Sequence, residues 1–153
     1  MLKKLTTSEK KLLLSKNYIG NLGYIDANQP YIIPITYFFD EPKNRIICYS
    51  NGGHKIDALR KDNSISLNVT DIDSVNKWRS VLVLGTYNEI EGSDAKSLLH
   101  EFSLGVKRVI FENELRDLDY IHEFSSKIYD GEIPIVFTIE IDELTGKSRN
   151  FKG

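Results

Sequence analysis

The chain has 153 residues, 41% of them apolar and 27% charged, and 20 basic against 22 acidic side chains give a net charge of -2. That length suits one domain over 1–153, which buries roughly 68–70% of its unfolded surface and needs no disulfide or zinc staple. The charge balance excludes a globally basic nucleic-acid binder, and the single cysteine, Cys48, excludes an internal disulfide framework and a cysteine-built zinc site.

At the N-terminus the longest apolar run is Leu12-Leu13-Leu14 with lysines on both sides, which is too short for a secretory core. No stretch approaches the ~20 apolar residues that span a bilayer. A cytoplasmic protein without a membrane anchor is expected. Thr6-Thr7-Ser8-Glu9 has the form of a capping box and predicts a short helix through about Lys16.

The pattern then changes to strands. Tyr18–Asp26 alternates apolar residues around Gly20 and Gly23, and Ala27-Asn28-Gln29-Pro30 turns the chain. Tyr31–Asp40 is almost wholly apolar, aromatic or β-branched, which predicts a strand covered on both faces. Pro34 lacks the ladder N–H, so its position should be an edge or a bulge. After the turn Glu41-Pro42-Lys43-Asn44, Arg45–Ser50 forms a third strand, and the three together read as an antiparallel meander.

Past Asn51-Gly52-Gly53 the spacing predicts a short helix over His54–Asp62, with Ile56 and Leu59 on one face. Ser64–Thr70 is a fourth strand and Asp71–Asn76 a polar loop. Trp78–Ile90 is the fifth, with Val81, Val83 and Tyr87 on one face and Leu82, Leu84 and Ile90 on the other. Ser93 caps a helical stripe of Leu98, Phe102, Val106 and Val109, which Gly105 weakens. Leu118, Ile121, Phe124 and Ile128 form a second stripe, broken at Gly131–Pro134. Ile135–Ile141 alternates as a sixth strand, and a polar tail follows. These elements describe an α+β, mainly β protein: a six-stranded antiparallel barrel with flanking helices and no βαβ rhythm.

Among candidate chemistries, Ser50-Asn51-Gly52-Gly53-His54-Lys55 ends a strand and opens a helix. A helix N-terminus offers free N–H groups and partial positive charge, and two glycines let an anion approach the backbone. This is a phosphate cradle or a simple Asn-Gly turn. Neither the Walker pattern nor GxGxxG occurs. Trp78-Arg79-Ser80 is a phosphate-binding strand start or a plain one with an aromatic anchor. His100 and His122 have no metal-site spacing, Cys48 reads as a small buried hydrophobe, and Asp117 and Asp119 read as a solvated helix face.

The ordered segments Gly20–Asp26, Pro30–Tyr37, Tyr49–Arg60 and Trp78–Gly85, with the closing Ile-rich strand, resemble the flavin-binding split-barrel superfamily over about residues 18–141. Its best-known member is pyridoxamine 5'-phosphate oxidase, and the nearer likeness is to the 5-nitroimidazole-resistance branch. The resemblance implies a split β-barrel that forms a homodimer with FMN at the subunit interface. It implies that Ile33, Pro34, Ile35 and Thr36 line the isoalloxazine ring. Ser50, Gly53, His54 and Lys55 then hold the phosphate and ribityl chain, and Trp78, Arg79 and Ser80 meet the flavin, often from the partner subunit. His54 falls near flavin and substrate and is the catalytic candidate; no metal site is expected. In the oxidase an Arg and a Lys clamp the phosphate. Tyr31 and Thr36 stand near those places here, which leaves the phosphate to His54, Lys55 and Arg79.

The implied function is a flavin-dependent oxidoreductase that reduces a small acceptor with electrons from NADH or NADPH. A flavin-binding or carrier module without turnover is the alternative, and a haem-handling split barrel is a third reading.

Overall fold

The computed structural model describes residues 1–114 and 134–151. Its elements run β1 (Leu2–Lys4), α1 (Thr7–Lys16), β2 (Ile19–Asp26), β3 (Gln29–Asp40), β4 (Arg45–Ser50), α2 (His54–Lys61), β5 (Ser64–Ser74), β6 (Lys77–Ile90), α3 (Gly92–Glu114) and β7 (Ile135–Asn150). A 3-10 turn over Glu41–Lys43 joins β3 to β4.

The strand order is β1-β7-β4-β3-β2-β5-β6, and β6 also pairs with β7. Strands β2 to β7 therefore close a six-membered antiparallel ring, and β1 adds a short seventh strand outside it. The fold is the expected split barrel. The alternation of the strands fills its interior: Leu22, Tyr37, Ile46, Leu67, Val69, Val81, Val83, Phe137 and Ile139 are all buried in one cluster.

Helix α1 begins with the capping box, in which Thr6 Oγ1 accepts from Glu9 N–H at 3.2 Å and Glu9 Oε1 accepts from Thr6 N–H at 3.0 Å. It sends Leu13 and Leu14 into the barrel. The buried Tyr37 hydroxyl donates to Leu14 O at 2.8 Å and ties the helix to β3. A second apolar cluster lies outside the ring, where Leu98, Leu99, Phe102, Val106 and Ile110 of α3 cover Ile47 of β4 and Val136 of β7. Gly105 does not interrupt α3. A Cβ there would stand 2.4 Å from the Phe38 ring, so glycine permits the close approach of helix and sheet.

Three boundaries differ from expectation. The predicted loop 71–76 is mostly strand: β5 runs to Ser74 and leaves Val75-Asn76 as the hairpin turn. The polar tail is also strand, because β6 is 14 residues long and its backbone groups pair along β7 as far as Asn150. The N-terminal half of β3 is not covered on both faces. Ile32 is 74% exposed, and none of the described residues covers the outer side of the sheet there. Pro34 pairs with Asn21 of β2, while β4 reaches only Tyr37–Asp40, so the proline stands at an open edge as its missing N–H requires. The second helical stripe, Leu118–Ile128, lies outside the described residues, as do His122, Asp117 and Asp119.

Candidate ligand-binding site

Gly53 is the N-cap of α2 and has φ 157° and ψ -163°, a combination essentially restricted to glycine. No side chain caps this helix, and a Cβ on Gly53 would meet nothing within 4 Å. The N–H groups at the start of α2 are therefore left without a side-chain cap, and the space beside the Gly53 Cα is open. Ser50 is buried just before them, with its hydroxyl donating to Asn51 O at 2.8 Å.

Two side chains follow on the first turn. Lys55 is half-buried, and among the described residues it has no ion pair or hydrogen bond. Removal from water pushes its ammonium pKa below the ordinary lysine value, opposed by the nearby Cys48 thiol. Burial raises the pKa of that thiol, which leaves Cys48 a neutral core group. An unpaired, partly desolvated cation beside uncapped helix N–H groups suits an anion.

His54 is held more tightly than its exposure suggests. Its Nδ1 lies 3.0 Å from the Tyr24 hydroxyl and its Nε2 lies 2.8 Å from Asp26 Oδ2. The tautomer that satisfies all three groups has Nε2–H donating to the carboxylate and Nδ1 accepting from Tyr24 O–H. The ring also meets Tyr31 edge-on at 4.8 Å, and Tyr31 stacks on Tyr24 at 5.3 Å. Burial, followed by Tyr31 and Asp26, raises the Tyr24 pKa and keeps its proton in place. The sequence reading missed Tyr24, Asp26 and Asn68. The alternation of β2 was the available signal for the first two, since Tyr24 and Asp26 share a face.

On β3, Ile35 is buried, Ile33 and Thr36 are partly covered, and Pro34 is exposed beside Ile32. Ile33 stands opposite Leu22, two residues from the Tyr24–Tyr31 pair, so Ile33 and Ile35 share the face of the His54 partners, whereas Pro34 and Thr36 lie on the opposite, outer face beside Asn21 and Ile19. Trp78 and Ser80 lie on the outer face that carries Pro34, because Pro34 pairs with Asn21, Asn21 with Asn68 and Asn68 with Leu82, but they stand far from His54 within one chain. Tyr24 pairs with Ile65 and Ile65 with Gly85, whereas Arg79 pairs with Asp71. Six residues of strand, about 20 Å, separate the two levels. Trp78 and Ser80 share the outer face with Leu82 and Leu84. Ser80 accepts from Asn68 Nδ2 at 2.9 Å. Arg79 alternates to the other side, where it helps to lower the Glu9 pKa after the Thr6 hydrogen bonds.

Two grooves of about 540 Å³ lie along α3, and none of these residues lines either one. Among the described residues no group of three or more His, Cys, Asp or Glu could hold a metal ion. None of the described helices is long and apolar enough to cross a membrane.

The model of the pyridoxamine 5'-phosphate oxidase family matches residues 6–148. The chain belongs to this family. An uncharacterized protein of Rhizobium meliloti, RA0666, is 32% identical over 132 residues, covering 85% of this chain and 83% of that protein. Among solved structures, a FAD-binding protein from Mesorhizobium loti superposes with a TM-score of 0.75 at 20% identity, covering 99% of this chain and 98% of the other. A Bacteroides thetaiotaomicron protein named for 5-nitroimidazole antibiotic resistance superposes with a TM-score of 0.67 at 14% identity, covering 97% and 89%. These solved structures share the fold of this chain, and at such identities the likeness is one of fold alone.

Proposed function

We propose that this member of the pyridoxamine 5'-phosphate oxidase family is a cytoplasmic, FMN-dependent oxidoreductase that works as a homodimer. The observation that carries the reading is the start of α2, where uncapped N–H groups and the half-buried, unpaired Lys55 await an anion. The phosphate of FMN meets that requirement. The ring lies along the exposed edge of β3 at Ile33, Pro34, Ile35 and Thr36. The flavin, once bound, supplies reversible two-electron transfer between a nicotinamide donor and a small acceptor.

A second copy supplies the other wall. Ile19, Ile25, Ile32, Leu82 and Leu84 are exposed on the outer faces of β2, β3 and β6, and an apolar face of this kind is covered in a stable dimer. In that arrangement Trp78 and Ser80 of the partner subunit also close on the flavin.

One observation favours the alternative, a flavin carrier without turnover. Both ring nitrogens of His54 are engaged, so its proton is not free for an acceptor while those bonds last. One experiment separates the readings. The purified protein should be yellow, release FMN on denaturation, and lose its flavin absorbance within seconds of adding NADH or NADPH without oxygen. Bound flavin that stays oxidised selects the carrier, and colourless protein that binds no added FMN overturns both.

A further inference from the structure

Three cations converge on one face of the sheet. The register sets Leu2 opposite Arg149 and Lys4 opposite Lys147, and sets those two β7 residues opposite Trp78 and Ser80 of β6. Residues directly opposite in an antiparallel ladder lie on the same face, and positions two apart along a strand do too. Lys4, Lys147, Arg149, Trp78 and Ser80 therefore share the outer face. With strands ~4.8 Å apart and ~6.7 Å between alternate residues, the three cations start from a triangle of about 5 by 7 Å.

Among the described residues none of the three makes an ion pair or a side-chain hydrogen bond. The nearest acid on this face of β7 is Glu143, opposite Leu84 and four residues, about 13 Å, from Lys147. Two lysines directly opposite each other repel. Beside them Trp78 offers a half-buried ring. Ser80 already accepts from Asn68, so its O–H remains able to donate.

We infer that this row is a binding site for the diphosphate of a nucleotide, with Lys4, Lys147 and Arg149 on the phosphates and the base against Trp78. Three cations exceed what a single phosphate needs and match two adjacent ones. The inference deepens the flavin reading, which already brings Trp78 and Ser80 to a flavin held by the other subunit. The diphosphate is that of the nicotinamide dinucleotide that donates electrons, because the flavin's own phosphate is assigned to Lys55.

Trp78 is the only tryptophan, so its emission reports on the site without a label. Protein freed of bound flavin is titrated with ADP. Emission should change saturably, and the ADP affinity should fall at least five-fold between 50 and 200 mM salt. Changing Lys147→Gln and Arg149→Gln together should weaken ADP at least ten-fold and alter FMN affinity less than two-fold. Lys147→Arg with Arg149→Lys should keep ADP affinity within about three-fold. FAD binding tighter than FMN in the unaltered protein, with the difference lost in the Gln variant, overturns that assignment by placing a flavin diphosphate on the row. FAD and FMN binding alike, with NADH or NADPH displacing ADP, assigns it to the electron donor. No saturable response to ADP, or equal ADP affinity in the unaltered protein and the Gln variant, overturns the site. Failure of the flavin reading has a separate signature: neither FMN nor FAD binds, whatever ADP does.

Discussion

His54 Nε2 lies 2.8 Å from the Asp26 carboxylate, which ties the first residue of α2 to the last residue of β2. The two side chains are 51% and 30% exposed, so the pair contributes at most about 1 kcal/mol to stability. Its effect is to aim the ring and fix its tautomer.

Asp26→Asn should therefore leave the denaturation midpoint nearly unchanged. It should alter the ring nitrogen resonances of His54 in a 15N spectrum and change the rate at which reduced flavin passes electrons on. A large loss of stability with an unmoved His54 spectrum would show that the carboxylate supports the fold instead.

Lys55 lies against the opposite requirement, a charge partly removed from water. Lys55→Met should raise stability near neutral pH, because a half-buried cation without a partner is replaced by a chain of similar length. The folded-state pKa is lowered, so the unfolded chain holds more protons between that value and the ordinary lysine pKa of about 10.4. Stability of the unliganded protein should then rise with pH across that alkaline window, and the rise should vanish in the variant. Flavin binding should change the other way. Loss of one charge-assisted contact costs about 1.5–3 kcal/mol, at least ten-fold in FMN affinity. Denaturant titrations against pH and flavin titrations together check both signs.

Much of this arrangement was legible in the residues, and the failures share a cause. The capping box, the glycine pair before His54 and the apolar alternation of β6 each carry a local reason for their conformation, and the structure follows them. The extension of β7 through Gly146 to Asn150 carries none. Its side chains are polar, and its pairing is imposed by the unsatisfied backbone of a 14-residue partner strand. The Lys4–Lys147–Arg149 row was unreadable for that reason, since cations in a presumed tail have no face until the strand exists. The His54 contacts depend on β2 and α2 meeting in space, 28 residues apart for Asp26 and 30 for Tyr24. The likeness to a family points to His54 as a candidate but says nothing of its partners.

Acid sensitivity should come partly from Glu89. Arg60 holds this carboxyl through paired bonds of 2.8 and 3.0 Å, and Tyr87 O–H donates to it at 2.7 Å. The hydrogen bond from Arg60, then that from Tyr87, pulls the pKa below the ordinary carboxylate value against the effect of burial. A lowered folded-state pKa gives stability that is present above about pH 4.3 and lost as pH falls through the lowered value. Glu89→Gln should be less stable at neutral pH and should lose less stability than the unaltered protein on acidification. Melting temperatures from pH 7 to pH 3 check this, and parallel curves would remove Glu89 from the account.

The packing of α3 on the barrel gives the last prediction. A methyl group at position 105 would stand 2.4 Å from two atoms of the Phe38 ring, well inside contact distance. Ordinarily Gly→Ala within a helix stabilises by about 1 kcal/mol through propensity. Here the overpacking cost of about 1–3 kcal/mol opposes that gain, so Gly105→Ala should be neutral to destabilising. The sign turns on the ring, which Phe38→Leu makes smaller. Gly105→Ala should be more favourable by at least about 1 kcal/mol in the Phe38→Leu background than in the unaltered one, and a double-mutant cycle of denaturant midpoints measures that coupling. Equal effects in the two backgrounds would mean that helix and sheet adjust without strain, and that Gly105 does not set their separation.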